Sequence, residues 1–514
     1  MLAVVNSLVL QGIEARTVEV EVDIHSGLPS FDIVGLASQS VREAKERVRA
    51  AIKNAGLKFP LERITVNLAP ADMKKEGSHF DFPIAVGILA ASGQLEGLIP
   101  DNMYLVGELS LEGSVRKVAG VLPMALELVT KPSKAHLVVP RENEREAALV
   151  EEVSSFSVGS LAEFVEYVNG ARELPRVSNP GEACRVQARG ENLDFADVRG
   201  QETAKRTLEI AAAGYHNLIL IGPPGSGKTM LAQRLPGILP DMNRAEILET
   251  TRVYSAAGLL DSNMPLITER PFRSPHKNAS AASIIGGGRV PRPGEISLAQ
   301  NGVLFMDELP EFARDVLEAL RQPLEDRVVT VARAQATVTY PANFLLVASM
   351  NPCPCGYFND PARECRCTPY QISKYLSRIS GPLLDRTDLH VEVPRVKYEE
   401  LSPDRTGERS AAMKERVVRA REIQKRRFKG RHYQVNALMP PGDVRRFCRL
   451  SDEGERLLKS AFERLSLSAR AYHRILKVAR TVADLDGEPD ILPRHLAEAV
   501  QYRSLDRKYW NGLP

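Results

Sequence analysis

Hydrophobic and polar positions alternate along Thr17–Ile24. Val18, Val20, Val22 and Ile24 fall on one side and Glu19, Glu21 and Asp23 on the other, which predicts a strand with one face in the core. The period then changes. Val41, Ala44, Val48 and Ala51 share one side of a helix, with Ser40 and Glu43 spaced as a capping box and Gly56 suited to the C-terminal end. Further strands are expected at Ile64–Ala69, Tyr104–Leu109 and Leu137–Val139, and helices at Pro83–Ala91 and Leu122–Val129. Residues 1–171 therefore read as a mixed α/β domain.

From 172 to 192 the periodicity gives way to Pro, Gly, Asn, Glu and Arg, the composition of a linker. Order resumes in 193–400 as helix Gln201–Ala213, strand Asn217–Ile221, helix Lys228–Leu235, strand Val303–Met306, helix Ala313–Gln322 and strand Phe344–Ser349. Short, continuously apolar strands separated by helices predict a parallel sheet covered on both faces. In 401–514 the stripes Met413, Val417, Ala420, Ile423, then Leu457, Leu458, Ala461, Phe462, Leu465, then Ile475, Val478, Ala479, Val482 predict a small helical bundle.

Composition narrows the class. A chain of 514 residues exceeds what one core serves, and about three domains are expected. The longest apolar stretch, Phe82–Ala91, is too short for a bilayer and is broken by Pro83 and Gly87, so no membrane partner is expected. The start MLAVVNSLVL has neither the basic opening nor the small-residue cleavage site of a secretory signal, and a cytoplasmic, reducing location is expected for the six cysteines. The net charge of +3 is too mild to indicate nucleic acid by itself. Leu401–Tyr433 carries eleven Lys/Arg against four Asp/Glu, which alone reads as a solvated helix face.

The sharpest chemistry lies at Gly222-Pro223-Pro224-Gly225-Ser226-Gly227-Lys228-Thr229, a G-x-x-x-x-G-K-[ST] loop between an apolar strand and a helix. Glycines let the backbone wrap a phosphate with its N–H groups, and the helix points its positive end at the same anion. Lys228 is expected to reach the β- and γ-phosphates of ATP, and Thr229 to ligate Mg2+. Downstream, Val303–Met306 ends in Asp307 and Glu308, placed to hold Mg2+ and to polarise the attacking water respectively.

With these motifs, the region from Asp194 onward resembles the AAA+ ATPases of the magnesium-chelatase and MCM-like branch. The whole chain resembles the YifB/ComM family of Mg-chelatase-like proteins, carried by Arg270–His276, Gly286–Gly288 with Pro293–Leu298, Asn301–Glu308 and Ile379–Asp388. The resemblance implies an α/β fold: an AAA+ P-loop ATPase with a parallel sheet and a C-terminal helical lid of the Mg-chelatase type. An α+β Lon-protease-like (ribosomal S5 domain 2-like) domain would precede it. It further implies that Asn351 is a sensor asparagine, Arg386 an arginine finger entering a neighbouring subunit's site, and Arg470 a second sensor in the lid. Charge builds on the γ-phosphoryl oxygens in the transition state, so an arginine supplied in trans would make hydrolysis depend on assembly. The resemblance also implies a helix-2 insert in Arg270–Ser297 and a pre-sensor-1 hairpin, Val328–Ala332 with Ala336–Tyr340. Arg273, Lys277, Arg289, Arg292 and Arg333 would then be candidates to grip DNA phosphates in the pore.

Cys353, Cys355, Cys365 and Cys367 form a C-x-C-x9-C-x-C array that can close a tetrahedron around a structural Zn2+. Reduced, unligated thiols or an iron–sulfur site are the other readings. In the Lon-like segments a Ser–Lys protease dyad is missing: its positions fall on His79 or Phe80 and on Leu122, although Ser78 and Lys117 lie close by in sequence. The sequence thus points to an Mg2+- and ATP-dependent homo-hexameric motor on single-stranded or branched DNA, by resemblance a branch-migration helicase of natural transformation or recombination. The alternatives are a chelatase-like or chaperone-like protein remodeller and a Lon-like protease.

Overall fold

The computed structural model describes residues 1–178, 193–288, 291–333, 336–396, 407–465, 468–505 and 507–511. The first unit is built on β1 (Leu2–Gln11), β2 (Glu14–His25), β3 (Ser30–Val34), β4 (Arg63–Ala69), β5 (Met103–Leu105), β8 (His136–Pro140) and β9 (Ser154–Val158), with a side hairpin of β6 (Glu108–Leu109) and β7 (Val115–Arg116). Its 7-stranded sheet runs β3-β4-β2-β1-β5-β8-β9. The strands β1, β2 and β4 pair antiparallel, and the remaining neighbours pair parallel. Val18, Val20, Val22 and Ile24 are buried as the alternation requires.

Several local expectations are revised. The Ser40–Glu43 capping box does not form: one helix, Gln39–Arg42, starts after Ser38, a second runs Ala44–Asn54, and the Ser38 and Ser40 hydroxyls bond each other at 2.8 Å. The expected strand Tyr104–Leu109 is two strands, because the chain leaves the sheet at Gly107, where a Cβ would lie 2.5 Å from Val115 Cγ1. Of the expected linker, Arg172–Ser178 is described and still belongs to the first unit, with Val177 N donating to Ser155 O at 2.8 Å; 179–192 lie outside the described residues.

The second unit has a 5-stranded parallel sheet ordered β11-β14-β17-β10-β18, from β10 (Leu218–Ile221), β11 (Phe272–Arg273), β14 (Val303–Met306), β17 (Leu345–Met350) and β18 (Leu389–Glu392). All residues of β10, β14 and β17 are buried, as a doubly covered parallel sheet demands. Two hairpins leave it: β12 (Gly286–Gly287) with β13 (Arg292–Pro293), and β15 (Val328–Arg333) with β16 (Ala336–Pro341). The expected helix Ala313–Gln322 is interrupted. It becomes Arg314–Ala319 and Arg321–Asp326, since Pro323 has no N–H to give and fits only the first turn of a new helix.

The C-terminal helices Ser410–Arg427, Asp452–Leu465, Ala469–Leu485 and Pro493–Gln501 pack on the sheet's helices and share their core. Met413, Val417 and Ala420 are buried as expected, but Gln424 completes that stripe in place of Ile423, bonding Ala213 O (3.1 Å) and Asn436 N (3.0 Å). On Asp452–Leu465 only Leu458 of the expected apolar stripe is fully buried, and Phe462 is exposed. Much of the basic segment is spent internally. Arg427 pairs with Asp484, Arg416 with Glu209 and Glu408, and Arg421 donates to Ala212 O.

The first unit docks against the second. Arg252 Nε donates to Ile13 O (2.7 Å), Ser255 Oγ to Glu146 Oε1 (2.5 Å), Arg145 to Asn263 O (2.9 Å), and Lys117 Nζ to Leu260 O (2.7 Å) and Ser262 Oγ (2.9 Å). No helix among the described residues is long and apolar enough to cross a membrane.

Candidate active site

The loop Gly222–Thr229 joins the C-terminal end of β10 to the helix Lys228–Arg234, the end of a parallel sheet where ligands collect. Gly225 and Gly227 take φ of +76° and +89°, and a Cβ built on either would meet nothing within 4 Å, so the loop curves around open space. The Ser226 hydroxyl is buried and without a partner among the described residues. An orphaned donor inside a loop of backbone N–H groups suits an anion.

Lys228 Nζ bridges Gly222 O (2.8 Å), Pro223 O (2.9 Å) and Asn351 Oδ1 (3.3 Å). Burial lowers its pKa to about 8, while Asp307 and Glu308 oppose that shift. Asn351 follows β17, which pairs in register with β10, and this pairing brings the two motifs together across 123 residues. Thr229 Oγ1 lies 3.2 Å from Asp307 Oδ2, so a hydroxyl and a carboxylate meet as hard oxygen donors for a divalent cation. ATP and Mg2+ fit these groups: an open loop of N–H donors, a cation beside it and an oxygen pair.

Ser349, one strand over, went unremarked in the sequence. Its hydroxyl bonds Asp307 Oδ1 and accepts the Glu308 N–H at 3.1 Å. Glu308 adopts φ +54°, a conformation an ordinary side chain rarely takes, which turns it out of the strand. Its carboxylate accepts from Lys277 Nζ at 2.6 Å.

Lys277, expected to grip DNA, sits in the single chain over the carboxylate expected to activate water. Arg273 is held by Glu295 through two bonds of 2.6 and 2.8 Å. Arg292 is exposed on β13, and Arg333 ends β15 opposite Ala336. Arg289 lies outside the described residues.

Arg386 and Arg470 stand apart from the phosphate loop. Together with Asp385, Arg474 and Lys477 they line a cavity of about 460 Å3 to which none of Gly222–Thr229 contributes. Arg386 bonds the Glu325 carboxylate and Pro382 O (2.8 Å), and Arg470 lies 3.8 Å from Asp385. Behind the cavity, Asp388 joins Arg474 to His216 Nδ1 (3.1 Å), whose Nε2 meets Thr481 Oγ1 at 2.8 Å. Arg474 and His216 hold the buried Asp388 well below the usual carboxylate range, against the opposing effect of burial.

The four cysteines of the array come together: Cys353 Sγ lies 3.4 Å from Cys355 and 3.7 Å from Cys365, Cys355 lies 3.6 Å from Cys365, and all four sulfurs fall within 4.8 Å of one another. In the N-terminal unit Ser78 bonds the Glu108 carboxylate and Lys117 is engaged with Leu260 and Ser262 of the second unit, so the two are spent separately. Phe80 and Leu122 are fully buried, and His79 is buried with its pKa lowered by burial to about 4.

Comparison with known proteins agrees with this layout. The family described as magnesium chelatase, subunit ChlI, matches residues 194–401, that described as subunit ChlI of Mg-chelatase matches 20–143, and the ChlI C-terminal family matches 407–503. The competence protein ComM of Haemophilus influenzae is 47% identical over 509 residues, 98% of each chain. The uncharacterized protein YifB of Escherichia coli is 46% identical over 507 residues, again 98% of each. Lon protease 2 of Bacillus subtilis is 31% identical over 146 residues, 26% of each chain.

Proposed function

The chain belongs to the ComM/YifB family of magnesium-chelatase-like AAA+ ATPases, and from that premise we propose that it is a hexameric motor that hydrolyses Mg2+-ATP between subunits to move DNA. Within one subunit Lys228 turns from the carbonyls of Gly222 and Pro223 to the β- and γ-phosphates, aided by the N–H groups of Gly225–Thr229 and by the Ser226 hydroxyl. Thr229 and Asp307 are the residues that would hold Mg2+, which would supply positive charge to offset that of the phosphates. Glu308 activates the water and Asn351 orients it. Lys277 pairs with Glu308 until the insert that carries it moves.

The observation that carries the ring is the separation of Arg386 and Arg470 from their own phosphate loop. Two arginines sharing one cavity there do nothing for the nucleotide of their own subunit. Presented to a neighbour, they neutralise charge on its γ-phosphoryl group, so assembly completes the site. Arg386 is sheathed by Glu325 in the single chain, which leaves it idle until an interface forms.

The relative named as a competence protein supports a role on DNA taken up by the cell, as a branch-migration helicase of transformation or recombination. Arg292 and Arg333, on the two hairpins, are the residues kept as phosphate contacts in the pore. The N-terminal unit is read as a Lon-like module without a dyad that serves binding or assembly, and the cysteine cluster as a structural zinc site with all four positions filled by sulfur. The test is ATP hydrolysis with and without branched or single-stranded DNA. Stimulation of several-fold or more is expected; a rate indifferent to every DNA form would favour a protein remodeller instead.

A further inference from the structure

We propose that Cys353, Cys355, Cys365 and Cys367 hold one Zn2+ as a clasp that shapes the phosphate loop, so that nucleotide affinity depends on metal occupancy. The second half rests on reading Gly222–Thr229 as the nucleotide site.

Between Met350 and Pro369 the chain forms no helix or strand. A loop of that length has few backbone bonds and little core of its own to fix it. The sulfurs supply what the backbone does not. Four thiolates around one tetrahedral Zn2+ at about 2.3 Å stand about 3.8 Å apart. The separations of 3.4, 3.6 and 3.7 Å among Cys353, Cys355 and Cys365 are near that edge. A cluster of several irons would spread the sulfurs further.

Cys353 is buried and Cys355, Cys365 and Cys367 are half-buried, so the loop partly shields the four sulfurs from solvent. Tyr357 is held between Arg363 and Arg395, 4.5 and 5.3 Å from its ring centroid, and Arg395 reaches Asp360 at 3.1 Å.

The clasp touches the phosphate loop from two sides. Gly356, directly after Cys355, has φ +84° and lies against Pro224, where a Cβ would stand 2.5 Å from Cδ and 2.8 Å from Cγ. Asn351, two positions before Cys353, accepts from Lys228. A loop pressed by Gly356 and tied through Asn351 is held open for its ligand, and such preorganisation is worth affinity. Released sulfurs would let both contacts drift.

Elemental analysis of the purified full chain is expected to give one zinc per chain and no iron, and Co2+ in its place should show the absorption of a tetrahedral tetrathiolate. Displacing the zinc with a mercurial, then removing the mercurial with thiol, should weaken binding of a fluorescent ATP analogue by about tenfold, with recovery on adding Zn2+. Cys355→Ser should lose the metal. Should that variant fail to fold, Gly356→Ala serves: it should keep its zinc yet bind nucleotide more weakly. Iron or no metal in the wild-type chain would overturn the metal assignment. Full zinc with affinity unchanged by stripping and by Gly356→Ala would overturn the coupling. A zinc-replete chain that binds no nucleotide would overturn the site reading beneath it, and the zinc count tells the two failures apart.

Discussion

Lys228 concentrates what one residue can say about this chain. The residue is buried, and burial lowers its pKa from 10.5 to about 8. Phosphate binding needs the charged form, so nucleotide affinity should hold steady below pH 8 and fall above it, by up to about tenfold per pH unit. Fluorescence titration across pH 7 to 10 checks this, and Lys228→Arg should abolish the inflection. The sign for stability is the opposite: between the two pKa values the unfolded chain binds more protons, so Lys228 adds stability as pH rises through that window. Lys228→Ala should weaken nucleotide binding by about 10- to 100-fold. Glu308→Gln should leave ATP bound and slow hydrolysis by about 10²- to 10⁴-fold. Equilibrium binding and single-turnover hydrolysis separate these outcomes. Both residues were legible in the sequence because a phosphate loop and a strand-end acidic pair are short, contiguous and strictly spaced. Lys277 against Glu308, and Ser349 against Asp307, were not: each partner is locally an ordinary polar residue, and only the β14–β17 pairing or the fold of the insert makes them neighbours.

Among elements, those with a clean period were legible and those whose burial breaks the period were not. The strand β1 escaped notice because its pattern contradicts alternation: Ser7 is buried, bonding Leu105 O at 2.8 Å, while Leu2 and Val4 are exposed. Only pairing on both sides, with β2 and β5, explains it. The stripe on Asp452–Leu465 shows the reverse error, apolar spacing without full burial, since this helix lies at the margin of the lid. The contact between sheet and lid is equally silent in the sequence, because His216 lies 172 positions from Asp388 and 265 from Thr481. Removing Asp388 would leave Arg474 and His216 facing a buried hole, so Asp388→Ala should destabilise the ATPase-lid unit by about 3 kcal/mol. Scanning calorimetry checks it, with a lower midpoint for that unit expected and an unchanged one counting against the network.

At the scale of the molecule, under the proposed function the single chain is an incomplete enzyme. One part of its surface holds a phosphate loop with its oxygen donors, another holds Arg386 and Arg470, and the geometry keeps them apart. The most direct test is a mixing experiment. Arg386→Ala subunits keep a whole phosphate loop but lack the finger, and Lys228→Ala subunits keep the finger but lack the loop's cation. Each alone should be close to inactive, the finger alone being worth about 10³- to 10⁵-fold. Mixed, they should recover steady-state ATP hydrolysis, because some interfaces then join an intact loop to an intact finger. Silence at every mixing ratio, with both variants folded and assembled, would contradict the account.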